Sequence, residues 1–146
     1  MPGISFRHAG VVVQDMTKSL EFYRDLLGLK VINKRRETGV YIDKLLGLSQ
    51  VDLRWVKLGG SDGKVCVELL QYFSAHGESS VPIRTFQIGC SHIAFTVSAL
   101  DRLYHELHSK GVMFTTEPLI SPDGAVKVTF CQDPDGTQIE LVEPIA

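Results

Sequence analysis

The sequence predicts an α+β fold made of two tandem βαβββ modules. Three observations carry that expectation. Two alternating apolar strands each hold a histidine and run into a helix. Each helix is stopped by a glycine at nearly the same distance from its histidine. Two closing strands each set a glutamate among branched apolar residues. In "FRHAGVVVQDMTKSLEFYRDLLG" (6–28) and "CSHIAFTVSALDRLYHELHSKG" (90–111), 20 positions separate His8 from Gly28 and 19 separate His92 from Gly111.

The first strand, "ISFRHAGVVV", alternates so that Phe6, His8, Gly10 and Val12 share one face and Arg7, Ala9, Val11 and Val13 the other. Its helix has Asp15 or Thr17 as N-cap, Leu20, Tyr23, Leu26 and Leu27 as its apolar stripe, and Gly28 as its stop. Strands follow at "LKVINKRRE" and "VDLRWVKL". The turn "GGSDG" then leads to the closing strand "KVCVELLQYF", 64–73. The second module repeats this order. "GCSHIAFTVS" puts Cys90, His92, Ala94 and Thr96 on one face, Ser98 caps a helix with Leu100, Leu103, Tyr104 and Leu107, and Gly111 ends it. "VMFTTEPL" and "VKVTFCQ" read as strands, and "DPDG" turns into the closing strand "TQIELVEP", 137–144. The chain thus reads as one structural domain, with a first module over 1–73, a turn-rich linker over 74–88 and a second module over 89–146.

Composition bounds the function. The 146 residues are 44% hydrophobic and 22% charged, ordinary for a globular protein, and can bury about 70% of the unfolded surface without staples. A net charge of −2 gives no field to draw in nucleic acid or an anionic membrane. Cys66, Cys90 and Cys131 follow no zinc or disulfide spacing and read as small hydrophobes in a reducing compartment. Arg7 and His8 stand where a signal peptide needs an apolar core, and no run reaches 18 apolar residues. The expectation is a cytoplasmic protein.

Four residues stand at equivalent positions of the repeat: His8 and Glu68 in one half, His92 and Glu140 in the other. A carboxylate buried in a strand costs several kcal/mol unless a partner neutralises it. Taken singly, each histidine suits a satisfied core ring and each glutamate an edge position. Taken together, two imidazoles and two carboxylates suit one divalent ion per chain, Zn²⁺, Ni²⁺, Co²⁺, Mn²⁺ or Fe²⁺, whose charge accounts for the carboxylates.

The doubled module, with "SLEFYRDLLGLKV" and "DPDGTQIELVEP" as its most specific phrases, resembles the vicinal oxygen chelate superfamily, on its glyoxalase I and methylmalonyl-CoA epimerase side. The resemblance covers nearly the whole chain. It implies a cupped, partly open β-barrel around one metal, with His8, Glu68, His92 and Glu140 in the four ligand positions. Extradiol dioxygenases and fosfomycin-resistance enzymes of the group usually use two histidines and one glutamate, so Glu68 points away from them. A full set of four implies Lewis-acid chemistry without redox: an enediolate forms next to a chelated oxygen, with Glu140 as base and Glu68 on the opposite face of the carbon.

The substrate is narrowed less. Bacterial glyoxalase I enzymes usually hold glutathione with an arginine four residues after the first histidine and an asparagine four after the first glutamate. Here those positions are Val12 and Tyr72. The resemblance therefore centres on a metal-dependent isomerase, epimerase or lyase of a small oxygenated metabolite. An Fe²⁺ extradiol dioxygenase using His8, His92 and Glu140 is the alternative, and a non-catalytic binding protein the other. From His8 to Glu68 is 60 positions and from His92 to Glu140 is 48. Most of the excess lies in "RRETGVYIDKLLGLSQ", whose apolar "YIDKLLGL" reads as a lid or as a peripheral packing helix. Tyr72, Tyr41 and Arg54 are the candidate substrate contacts, Tyr72 first because alternation places it on the Glu68 face. His76, His105 and His108 read as solvated. Closed twofold pairing being the commonest assembly, a homodimer is expected.

Overall fold

The structure, a computed structural model, describes residues 3–73 and 85–146. Within it the chain divides into two units, Met1–Ser79 and Ser80–Ala146, and each carries one four-stranded sheet. Residues 74–84 of the expected linker, His76 among them, lie outside the described residues.

Unit 1 runs β1 (Ala9–Val12), α1 (Met16–Leu20), β2 (Lys30–Thr38), α2 (Val40–Leu46), β3 (Asp52–Gly59) and β4 (Val65–Tyr72). Unit 2 runs β5 (His92–Thr96), α3 (Leu100–Ser109), β6 (Leu119–Ile120), β7 (Val126–Gln132) and β8 (Gln138–Pro144). The strand orders are β1-β4-β3-β2 and β5-β8-β7-β6, one order used twice. In each, the first strand lies parallel to the closing strand and the others are antiparallel. The two βαβββ modules stand as the sequence predicts.

Helix α1 starts at Met16–Leu20 and continues as a wider π-type turn over Glu21–Leu26, where the Leu27 N–H reaches the Phe22 carbonyl. Asp15 is its N-cap and accepts from the Lys18 N–H at 3.2 Å, while Gly28, at φ 80°, ends it in the left-handed region that glycine enters freely. Met16, Phe22 and Tyr23 are buried, as are Val56, Leu58, Val67 and Leu69 of β3 and β4. Side chains of this kind each contribute roughly 1.5–3 kcal/mol on burial. One face of each sheet is therefore closed by its helix, and the other is the face that holds the histidine.

The second helix differs from expectation at its start. Its N-cap is Ala99, at φ 52°, rather than Ser98, and no side chain of the cap residue itself bonds there. Glu143 of β8 does the capping, accepting from the Ala99 N–H at 2.7 Å and the Leu100 N–H at 3.2 Å. Gln71 of β4 does the same in unit 1, where its Oε1 accepts from the Met16 N–H at 3.0 Å. Each lies three residues after its module's glutamate. The stretch "VMFTTEPL" also departs from a regular strand. It makes one bridge, Phe114 to Cys131, before the two-residue β6 pairs Leu119 with Val128, so that five positions on this stretch span three on β7, and Pro118 within the excess supplies no ladder N–H. All three cysteines are free, and no helix among the described residues is long and apolar enough to cross a membrane.

Candidate metal centre

Strand register sets the donors. In unit 1, Gly10 stands opposite Glu68, and His8 is two residues before Gly10. In unit 2, Ala94 stands opposite Glu140, and His92 is two residues before Ala94. Since side chains two apart share a face, each histidine lies diagonally beside its glutamate on the side of the sheet away from the helix. A small residue occupies the directly facing position in both. At Gly10 an added Cβ would come within 3.3 Å of Leu70 Cδ1.

The side chains meet accordingly. His8 Nε2 is 3.6 Å from Glu68 Oε2, and His92 Nε2 is 3.2 Å from Glu140 Oε2. Two donors each about 2.0–2.2 Å from one ion are separated by about 2.8–3.1 Å at a right angle and by about 3.3–3.6 Å at the tetrahedral angle. Both pairs have the spacing of neighbouring donors around a metal. His8 also leaves its Nδ1 buried without a hydrogen-bond partner, which costs about 1–3 kcal/mol in a ring kept only for packing. Neither imidazole is fully buried: the His8 side chain is 21% exposed and that of His92 52%. Among the described residues no group of three or more His, Cys, Asp or Glu stands close enough to hold a metal ion, so each His–Glu pair is a set of two donors.

The remaining candidates separate. Tyr72 lies on the Glu68 face and packs with Trp55 and Leu70 on a cluster of Ile42, Val51 and Leu53. Ile42 comes from α2, so the inserted helix is docked on the Tyr72 end of that face, between Gly39 and Gly47 at φ 107° and 66°. Tyr41, on the same helix, is exposed and lines an open cavity of about 430 Å³ with Arg35, Arg36, Glu37, Thr38 and Ile42. Arg54 pairs with Gln71, which reaches α1, and so belongs to the helix face rather than to that of Glu68. His105 and His108 are exposed on α3, each ring against Tyr104.

One neighbour escapes the sequence reading. Lys57 pairs directly with Glu68 across β3 and β4, with Nζ 3.6 Å from Glu68 Oε2 and 4.7 Å from the centre of the Trp55 ring. Its counterpart in unit 2, opposite Glu140, is Phe130, whose ring meets His92 edge-on at 5.3 Å. Only the register of the β3–β4 hairpin identifies Lys57, and an irregularity at Leu58/Gly59 hides that register from residue counting.

Residues 5–141 match the family model of the Glyoxalase/Bleomycin resistance protein/Dioxygenase superfamily. The chain belongs to that superfamily. The Bacillus subtilis protein YwkD is 34% identical over 142 residues, spanning 95% of this chain and 96% of its own. Lactoylglutathione lyase GLX1 of Arabidopsis thaliana is 29% identical over 139 residues, and this chain spans 44% of its length. Among solved structures, a glyoxalase family protein from Bacillus cereus has a TM-score of 0.90 over 100% of this chain and 97% of its own, at 16% identity, which shows a shared fold. The doubled module is thus the superfamily's own architecture.

Proposed function

We propose that this chain is a metal-dependent isomerase, epimerase or lyase acting on a small oxygenated metabolite, with His8, Glu68, His92 and Glu140 holding one divalent ion. The observation that carries this reading is the repeated register: one His–Glu pair, set two residues off a small residue, in each of two sheets of the same strand order. Kinship with proteins named lactoylglutathione lyases supports it. Val12 and Tyr72 stand where a glutathione-holding arginine and asparagine would be, so the substrate in this reading is another enolisable compound.

An ion bound there would supply Lewis-acid stabilisation of negative charge on a substrate oxygen. The chain's own part is proton transfer and shape. Glu140 takes the proton from the carbon beside that oxygen through a carboxylate oxygen and returns it to the product, while Glu68 serves the opposite face of the carbon. Phe130, opposite Glu140, and Trp55, beneath Lys57, are the apolar rings beside those carboxylates.

The test loads the protein with Ni²⁺, Co²⁺ or Zn²⁺, measures metal by elemental analysis, and follows deuterium uptake from D₂O into 2-oxo, thioester and cyclitol compounds. One metal per chain with exchange next to a chelating oxygen is the expected result. Oxygen consumption with a catechol, and no exchange with any of the panel, replaces this reading with ring cleavage.

A further inference from the structure

Charge on the Glu68 face is distributed unevenly. The row across the unit 1 sheet reads Gly10, Glu68, Lys57, Asn33, and the next row contains Leu70, Trp55 and Arg35. Arg35 has Glu37 beside it at 3.9 Å. The Lys57 ammonium is 3.6 Å from Glu68 Oε2, beyond good hydrogen-bond reach, and otherwise rests over the Trp55 ring. Its side chain is 24% exposed, partly desolvated yet reachable.

The charge balance then turns on what Glu68 does. With two carboxylates and two neutral imidazoles committed to a divalent ion, the donor set and the ion are together neutral, and Lys57 is left as one positive charge beside them. An ammonium half withdrawn from water and deprived of its carboxylate is satisfied best by an anion. Unit 2 has Phe130 at the equivalent position and offers no such charge there.

We propose that Lys57 is a specificity-determining residue that binds an oxoanion, a carboxylate or a phosphate, carried by the substrate one or two bonds from the carbon that bears a chelating oxygen, with Trp55 as the wall beneath. This rests on the metal-dependent function proposed above and names its substrate class as anionic. Lys57 binds as a fixed charge and takes no proton in the reaction.

The experiment uses three hydroxamates with one chelating head, binding to the Zn²⁺-loaded protein by calorimetry. Acetohydroxamate carries no further charge, malonohydroxamate adds a carboxylate and phosphonoacetohydroxamate a phosphonate. The parent is expected to prefer one or both charged probes by about 10- to 100-fold, the range of one charge-assisted hydrogen bond. A larger gain for malonohydroxamate assigns a carboxylate, and a larger gain for phosphonoacetohydroxamate a phosphate. Lys57→Met is expected to abolish the preference and leave acetohydroxamate within about threefold, while Lys57→Arg retains most of it. A parent without preference, or a Lys57→Met variant that keeps it, overturns the inference. So does a Lys57→Met variant that loses metal or acetohydroxamate affinity to the same degree, since Lys57 would then only hold Glu68 in place. Metal content separates the two readings: a parent that takes up no metal overturns the proposed function together with this inference, and a fully loaded parent without preference overturns this inference alone.

Discussion

The His8–Glu68 and His92–Glu140 faces are built from one backbone plan and furnished differently. Both put the histidine two residues before a small residue that faces the glutamate, and both use a side chain three residues past that glutamate to cap the module's helix. Beside the glutamate the likeness stops. Unit 1 has Lys57 over Trp55 and an inserted helix docked nearby, whereas unit 2 has Phe130 against a more exposed histidine. In the proposed site, the positions alike in the two units would set donor geometry, and those that differ would touch a substrate. A substrate without internal symmetry needs unlike surroundings around like donors, and duplication supplies both.

The comparison is broken most directly at the glutamates. Glu140→Gln is expected to lower deuterium exchange by about 10²–10⁴-fold, the share of a positioned general base, while Glu68→Gln lowers it less. An amide keeps the carboxylate's shape but accepts no proton from carbon. Equal losses would make the two faces interchangeable in catalysis, and a loss in Glu68→Gln alone would move the base to unit 1.

A smaller effect separates the helix caps. Glu143→Ala removes a charged acceptor of two N–H groups and is expected to cost about 1.5–3 kcal/mol, whereas Gln71→Ala removes a neutral acceptor of one and should cost about 0.5–1.5 kcal/mol. Urea midpoints at unchanged slope measure both. Equal costs would show that the caps, unlike the donors' neighbours, have not diverged.

The smallest effect concerns thiols. Burial, with Asp133 adding to it, pushes the Cys131 thiol up to about 12. Native protein at pH 8 should leave Cys131 unmodified by an aromatic disulfide reagent, and urea should release it. The folded value lies above the unfolded one of about 8.5, so the associated stability is complete below that pH and is lost as pH rises toward 12. Cys66 is raised by burial as well, in the same direction.

Much of this was legible before the structure. Alternation around His8 and His92 and the stops at Gly28 and Gly111 follow from period and glycine chemistry, and they locate the modules and the faces that carry the two histidines. What stayed hidden depends on pairing between distant strands. Lys57 reaches Glu68 only through a hairpin register shifted by one irregularity, and Arg54 falls on the helix face for the same reason. The cap from Glu143 lies 44 residues from Ala99, so no local signal announces it, and Ser98 offers the local sequence a cap of its own. Pro118 in "VMFTTEPL" marks the break by residue type, whereas the two extra residues between the Phe114 bridge and Leu119 show only in the pairing.

The parallel pairing of each first strand with its closing strand also sets the order in which the chain can fold. Ala9 meets Val67 and His92 meets Gln138, so neither module can complete its sheet, nor receive the helix-end acceptor that Gln71 or Glu143 supplies, until its last strand has been synthesised. Such non-local closure is slow, because loop entropy is spent before the contacts return it. Once Tyr72 has been made, however, every strand partner in the first sheet is present while the second is still unmade. The duplicated plan thus divides one slow closure into two shorter ones that can proceed in sequence on the ribosome, each ending on the strand that carries its glutamate.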